Sequence, residues 1–267
     1  MALRFSPALT NFIADRGSWK DFLDNGSIEI YSGSQPATPD LAVTGTLGVT
    51  ITNGSASKTS EVKATGVLTL SGTTSGSVDT LTLLGVSLLG GSVAYNTSLT
   101  QTAADVCTKI NRNPKNKLVV ASNVGAVITL TVVPGFGTLL NSAALTITST
   151  TLTSAVTSTS FGSGTGGSVA GVNAANGLTM DFNAAAGVFT KNTTETWSGV
   201  AAASITAGWF RYISSIADAG ALDSSAVYLR MDGNIATSGA NLNMSSTTIT
   251  SGATQTLSTF SLTIPAA

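Results

Sequence analysis

The chain has no histidine and a single cysteine among its 267 residues. Without an imidazole, a Ser-His-Asp triad, a Cys-His pair and a histidine-ligated zinc site are all excluded. A single cysteine, Cys107, also excludes an intrachain disulfide, so stability must come from packing. Cys107 lies on the apolar stripe of a predicted helix, with no His or Lys beside it to lower the thiol pKa. This setting indicates a core residue rather than a nucleophile.

Charged residues are scarce as well. They make up 9% of the chain, against about a quarter of an ordinary soluble domain, and 12 cations against 13 carboxylates leave a net charge of -1. Burying a charge is costly, whereas a surface of hydroxyls and small side chains is cheap to bury against a neighbour. The composition therefore favours a subunit of an assembly, and it offers no strong field to attract nucleic acid.

Long apolar runs are also missing. Ser, Thr, Gly or Asn interrupts each run before about eighteen residues are reached, so no membrane span is predicted. The first residues carry one cation, Arg4, but reach Asn11 and Asp15 before a secretory apolar segment can form. We expect the protein to be made in a cytoplasm and to stay there until it is assembled or released by lysis.

Pairs of carboxylates, as in glycosidases, are the remaining route to hydrolysis. The candidates are scattered, and several lie next to turn residues such as Gly220 and Gly233, so turn formation explains them better than catalysis. Asp218, Asp223 and Asp232 are also considered as calcium ligands, but they lack the alternating spacing of a calcium-binding loop. We predict no enzyme activity, no cofactor and no metal site. The carboxylates considered are Asp79, Asp105, Asp181, Glu195, Asp218, Asp223 and Asp232.

The pattern that is present is mainly β. Short segments with period-two alternation, such as 28–31, 197–200, 209–213 and 255–264, are separated by turn-rich stretches, which is typical of a sandwich or jelly roll. Ser6-Pro7 and Ser18 predict two capped helix starts before the first strand. We predict a discontinuous, jelly-roll-like β-sandwich with an N-terminal helical segment, formed by residues 1–56 and 168–267.

Residues 61–160 are predicted to form an inserted small α+β domain, with one helix on a sheet. The helix begins at the Ser98 cap, keeps an apolar stripe to Ile110 and ends at Asn113-Pro114. Strands are predicted at 66–71, 78–84, 118–121, 126–133 and 143–148. The Gly/Ser-rich segment 161–168 is predicted to be a flexible linker.

Two groups of residues are candidates for contact with other proteins. Alternation along 209–212 predicts that one face packs in the core and the other meets a neighbouring subunit. The predicted protein-contact residues are Trp19, Phe22, Trp209, Phe210, Arg211 and Tyr212. A second group places a third of the cations within nine residues and is either a docking patch for an acidic surface or a solvated helix end. It consists of Lys109, Arg112, Lys115 and Lys117.

The order of several segments resembles a known family. An amphipathic start is followed by IEIYSGSQPA at 28–37, AGWFR at 207–211, MDG at 231–233 and a Ser/Thr-rich final strand ending in Pro265. This order resembles small structural proteins of tailed bacteriophages, the head decoration or cement proteins. The resemblance covers residues 1–52 and 175–265, takes MDG as a turn and implies a jelly-roll-like fold on a capsid lattice. The middle unit, with its SLTQTAADV helix, resembles inserts in phage virion and tail proteins.

Three functions remain open from the sequence. The first is a non-enzymatic capsid decoration subunit on the virion surface, with the major capsid protein and copies of itself as partners and with no nucleic acid or membrane. The second is a tail or fibre component whose insert contacts the host surface. The third is a bacterial surface-layer or adhesin module, which has a similar Thr-rich, Cys-poor composition.

Overall fold

The computed structural model describes residues 3–15, 17–156, 161–164 and 176–264. The chain divides into two compact units. Unit 1 comprises Met1–Glu61 and Gly166–Ala267, and unit 2 comprises Val62–Thr165. The boundaries expected from the sequence lie within a few residues of these.

The predicted fold class is confirmed: the structure is mainly β, its sheets are antiparallel apart from one short parallel pair, and they are consistent with a β-sandwich. In chain order the elements are β1 (Arg4–Phe5), α1 (Pro7–Asp15), α2 (Trp19–Leu23), β2 (Ser27–Ser32), β3 (Leu47–Asn53), β4 (Thr65–Leu83), β5 (Val86–Ser87), β6 (Val93–Ala94), α3 (Leu99–Arg112), β7 (Val119–Val124), β8 (Val127–Val132), β9 (Leu145–Val156), β10 (Val188–Thr190), β11 (Trp197–Val200), β12 (Ile205–Ile213), β13 (Arg230–Ala236), β14 (Leu242–Asn243), β15 (Thr248–Ile249), β16 (Thr254–Leu257) and β17 (Ser261–Thr263).

Both predicted helix starts near the N-terminus are confirmed. Ser6 Oγ accepts a hydrogen bond from the Leu9 amide at 3.2 Å, at the start of α1. Ser18 and Asp21 cap α2 reciprocally: the Asp21 amide donates to Ser18 Oγ, and the Ser18 amide donates to the Asp21 carboxylate. Each cap satisfies an amide that would otherwise lack an intrahelical partner.

The main sheet of unit 1 has the strand order β1-β13-β12-β2-β3-β11-β16, and β10 pairs separately with β17. One face of this sheet is apolar and forms the core, with Ile28, Ile30, Phe210 and Tyr212 fully buried on adjacent strands. The other face carries the polar partners of the alternation. Loop 33–46 reaches this second face, as the hydrogen bonds described below show.

Unit 2 packs α3 against a sheet of order β5-β4-β8-β7, with β9 and β6 also paired to β4. The predicted helix is confirmed, since Ser98 Oγ accepts from the Gln101 amide and α3 ends at Arg112. The two strands predicted at 66–71 and 78–84 are one 19-residue strand, β4. Its pairing with β9 shifts register between Gly72 and Ser77, which marks the irregularity that the sequence suggested as a break.

The predicted linker is wrong over its described part. Phe161 is 1% exposed and belongs to the core of unit 2, and Gly162 pairs with Thr65. Gly66 leaves room for the ring, because a Cβ at that position would lie 2.8 Å from Phe161 Cε2. Burial of the ring therefore fixes a segment whose composition resembles a linker. The rest of the predicted linker, 165–168, lies outside the described residues.

Candidate functional site

The side chains of 209–212 in β12 alternate between the two faces of the sheet as predicted, but both faces are buried here. Phe210 and Tyr212 lie in the core, and Trp209 and Arg211 are completely buried on the opposite face. Phe22 is also buried, with its ring 5.4 Å from that of Tyr212. The predicted subunit contact is therefore wrong for these five side chains, because unit 1 itself covers them.

Trp19 is the sixth predicted contact residue and is only partly buried. Its ring meets Phe5 edge-on at a centroid distance of 5.1 Å and meets Phe22 in the same manner at 6.4 Å. Phe5 is 36% exposed. Within this predicted group, Trp19 is thus the side chain that still has accessible surface, beside another exposed ring.

Loop 33–46 covers the second face of the sheet through its backbone carbonyls. Arg211 donates to the Leu41 carbonyl, Trp209 Nε1 donates to the Thr44 carbonyl at 3.3 Å, and Arg230 donates to the Pro39 carbonyl at 3.0 Å. These bonds satisfy side chains and loop backbone at once, as buried polar groups require. The loop excludes water from Trp209 and Arg211, which the sequence suggested as part of a contact surface.

A row of charges of alternating sign crosses this face in register. Arg4 lies opposite Asp232, Asp232 opposite Arg211, and Arg211 opposite Glu29, whose next neighbour on β3 is Thr50. Asp232 is part of strand β13, so the prediction that MDG forms a turn is wrong. The physical reason is the pairing with Arg211, which lies 21 positions away in sequence and stabilises a buried aspartate within the strand.

A second buried pair stands beside this row. The guanidinium of Arg230 binds both carboxylate oxygens of Asp218 at 2.5 and 2.6 Å, and neither side chain is more than 1% exposed. Asp218 also accepts from the Gly220 amide at 2.8 Å, which is the turn interaction expected from the sequence. Asp218 therefore serves an ion pair and a turn together.

The segments that carry the family resemblance meet in this region. IEIYSGSQPA supplies β2, AGWFR supplies β12, and MDG lies in β13, and these three strands are neighbours. Tyr31 and Trp209 stack across β2 and β12 with centroids 4.6 Å apart and an angle of 14° between the rings. These three segments thus form one internal arrangement.

The other carboxylates considered from the sequence also have partners within their own unit. Glu195 accepts from Thr179 and from Trp197 Nε1, while Asp223 accepts from the backbone amides of Val227 and Tyr228. The remaining three bind side-chain hydroxyls or amides, namely Asp79, Asp105 and Asp181. In the described ranges no three His, Cys, Asp or Glu residues are grouped so as to hold a metal ion.

The predicted basic patch lies at and beyond the end of α3 in unit 2. Arg112, Lys115 and Lys117 are exposed, and Lys109 is partly buried with its ammonium 2.8 Å from the Ser92 carbonyl. Cations in the last turn are favourable for the helix itself. A docking role for this patch stays a prediction.

Where β4, β8 and β7 lie side by side, the outer face of the unit 2 sheet, opposite α3, carries no charged side chain. Its nine side chains form three rows in register across β4, β8 and β7. Val124 is 86% exposed, Val120 44% and Val127 37%. We call this surface the Thr/Val face; its rows are Thr65, Thr131 and Val120, then Val67, Thr129 and Ser122, then Thr69, Val127 and Val124.

The edge of β7 is closed by amide side chains. Asn111 of α3 donates to the Ala121 carbonyl at 2.8 Å and accepts from the Ala121 amide at 2.9 Å. Asn116 likewise donates to the Val119 carbonyl at 2.9 Å and accepts from the Val119 amide at 3.2 Å. These bonds replace those of a further strand, which an open edge would otherwise recruit.

A cleft of about 750 Å³ opens on the second face of the unit 1 sheet. Its floor is formed by Glu29 of β2 and Thr50 of β3, and its walls include Lys58 and Asp218 from two separate loops. Apolar side chains such as Val200 complete the lining. We call this the Glu29/Lys58 cleft.

Glu29 and Lys58, the two charged residues of the Glu29/Lys58 cleft, are both desolvated. Burial raises the pKa of Glu29, and the Asp218 carboxylate adds to that rise, whereas a 2.6 Å hydrogen bond from the Tyr31 hydroxyl opposes it. Burial lowers the pKa of Lys58 to about 8, against the opposing attraction of Glu29, Asp218 and Glu61. Lys58 donates to the Ser214 carbonyl, and within the described part of the chain it has no direct ion pair with Glu29.

Sequence reasoning missed this cleft, the Thr/Val face and the asparagines at β7. The alternation of Thr129 and Thr131 with the apolar residues 128, 130 and 132 was a usable signal for the Thr/Val face. Nothing local signals the cleft, because its lining comes from distant segments.

Comparison of the chain with family models, curated proteins and solved structures found no match. Among the described residues, no helix is long and apolar enough to cross a bilayer.

Proposed function

We propose that this protein is a non-enzymatic structural subunit of a tailed-phage virion, which decorates the capsid and stabilises it through protein contacts. The observation that carries the proposal is the Thr/Val face. It presents nine uncharged side chains in register on a sheet, and three of them are exposed valines, of which Val124 is 86% exposed. Such a surface is cheap to bury and gains little from staying in water.

The energetics favour many modest contacts over one strong bond. Burial of apolar surface contributes roughly 25 cal/mol per Å², and a standard interface removes about 1,600 Å² from water. A charge-free face adds no desolvation penalty for ions to this gain. Repeated around a symmetric shell, such interfaces would strengthen the whole particle.

The partners are copies of this chain and the major capsid protein. The resemblance to decoration and cement proteins supports the second partner, and the low net charge supports the first, because copies carrying a charge of -1 hardly repel each other. The virion capsid surface is the corresponding location. The predicted contact group at Trp209 has no part in this proposal, since it is internal.

A matched pair of substitutions tests the surface. Val124→Lys places a charge on the Thr/Val face, and Val227→Lys places the same charge at a valine of unit 1 that is 49% exposed. We expect sedimentation velocity at high concentration to show association of the parent chain and of Val227→Lys, and its loss in Val124→Lys. A parent chain that remains a single subunit at every concentration would contradict the proposal that the Thr/Val face is an interface between copies.

The location is tested by counting copies in particles that contain this chain. Quantitative mass spectrometry should find a number comparable to that of the major capsid protein. A dozen copies or fewer would instead identify a tail component. Because few ions take part, we also expect about 1 M salt to leave the protein attached, as charge screening acts on ionic contacts.

A further inference from the structure

We propose that the Glu29/Lys58 cleft is a binding site for a neutral saccharide. This inference is independent of the proposed structural role, because the cleft lies in unit 1 and the Thr/Val face in unit 2. A subunit with or without assembly partners could use it. In this cleft the fold holds two opposite charges, Glu29 and Lys58, apart from each other.

Glu29 and Lys58 line one cavity without forming an ion pair with each other. Desolvated charges are costly unless they are paired or hydrogen-bonded. Here each is only partly satisfied: in the described chain Tyr31 is the single hydrogen-bond donor to Glu29, and Ser214 supplies the single acceptor for Lys58. A ligand group that both accepts and donates would complete both, and a sugar hydroxyl does so.

The charge balance of the lining selects a neutral ligand. Glu29 and Lys58 offset each other, and Asp218 is neutralised by its two bonds to Arg230. Neither a phosphate nor a cation would therefore find a surplus of opposite charge in the cleft. A polyhydroxylated molecule needs directional donors and acceptors rather than net charge.

The remaining lining suits the two faces of a sugar ring. Hydroxyl-bearing residues such as Thr50 and Ser60 line the cleft, together with Val200, Ile213 and Tyr228. A pyranose has hydroxyl edges and a C–H face, so it matches this mixture. The volume of about 750 Å³ falls within the usual range of ligand pockets, about 300–1,000 Å³.

A free amino acid is the main competitor, because its ammonium and carboxylate could meet Glu29 and Lys58 as full charges. It would occupy only a small part of the cavity and leave the hydroxyl and apolar lining unused. The size of the cleft therefore favours the saccharide. Glycine serves as the probe that separates the two ligands.

Isothermal titration calorimetry of the full chain with maltotriose, N,N′,N″-triacetylchitotriose and mannotriose, each up to about 10 mM, tests the site. We expect saturable binding of at least one trisaccharide and none of glycine. Glu29→Gln and Lys58→Met should each weaken that binding by about tenfold or more, since each removes a charged hydrogen-bonding group. Asp79→Asn and Lys115→Met, in unit 2, are the matched controls and should bind as the parent does.

Thr50→Val is the third cleft variant and keeps the side-chain shape if a charge variant fails to fold, as checked by near-UV circular dichroism. It should also weaken the trisaccharide. Absence of binding by all three sugars, binding of glycine instead, or equal affinity of parent and cleft variants would each overturn the proposal. None of these outcomes bears on the Thr/Val face, whose test is association.

Discussion

Arg211 and Asp232 lie directly opposite each other on β12 and β13, and their completely buried side chains form two parallel hydrogen bonds of 2.8 Å. Burial raises the pKa of Asp232, while the hydrogen bonds and charge of Arg211 hold it down. The same guanidinium donates to the Leu41 carbonyl of loop 33–46. This pair therefore joins two strands and the loop that covers them.

Replacing the aspartate should be strongly destabilising. Asp232→Asn keeps the shape but leaves the Arg211 charge buried without its counterion, and breaking such a pair costs about 3–5 kcal/mol. Urea unfolding followed by tryptophan fluorescence measures the loss. Asp105→Asn, at a partly exposed carboxylate of α3, is the control and should change stability much less. Similar losses in both variants would mean that the buried pair has no special weight.

The β7 edge gives a prediction that combines stability with association. Asn111→Leu removes both bonds to Ala121 and should cost about 1–3 kcal/mol, because a buried amide and carbonyl lose their partners. The freed edge should also promote pairing between chains. Urea unfolding and sedimentation velocity measure the two effects. Thr108→Leu places the same side chain at an exposed position of α3, and an equal response there would argue against edge closure.

Local signals explain what the sequence could predict. The caps at Ser18 and Ser98 and the apolar stripe of α3 involve residues within a few positions of each other, so helix bounds follow directly from the pattern. The same holds for β11, whose predicted and observed bounds coincide. Period-two alternation also predicted that Phe210 and Tyr212 share one face of β12 and that Trp209 and Arg211 share the other, but it did not show that both faces are buried.

Distant partners explain what the sequence could not predict. Asp232-Gly233 has the composition of a turn, and only Arg211, on a neighbouring strand, makes it part of β13. Phe161 lies in a Gly/Ser-rich stretch, and its pocket depends on the missing side chain of Gly66, almost a hundred residues earlier. The Glu29/Lys58 cleft likewise gathers loops and strands that have no common sequence pattern.

The thiol of Cys107 should be inert in the folded protein. Burial raises its pKa to about 11, and the side chain lies in the core with α3. Because the thiolate is the reactive form, a disulfide reagent at pH 8 should label the native chain very slowly and the urea-unfolded chain fully. Thr108→Cys, with an exposed second thiol on the same helix, should take up one equivalent rapidly. Rapid labelling of the parent chain would place Cys107 at an accessible site.

Lys58 makes stability depend on pH in a defined window. Its pKa is about 8 in the folded protein and 10.5 for an ordinary lysine, so between these values the unfolded chain binds a proton that the folded chain has lost. Stability must therefore rise with pH across this window, by at most about 1.4 kcal/mol per pH unit. Below pH 8 the folded and the unfolded chain both hold the proton on Lys58. The stability then no longer changes with pH through this group, and the full cost of desolvating the ammonium remains.

Lys58→Met isolates this effect, because the other groups that titrate above pH 9, including Cys107, are common to both proteins and cancel in the difference. The methionine variant has no ammonium to desolvate, so its free energy of unfolding relative to the parent should be greatest at pH 7 and decline steadily toward pH 10. Urea unfolding at pH 7, 8, 9 and 10 measures the difference. Lys115→Met, at an exposed lysine, should give a difference that is flat with pH. A flat profile for Lys58→Met as well would mean that the cleft does not desolvate this lysine. That result would also contradict the incompletely satisfied charge on which the saccharide proposal depends.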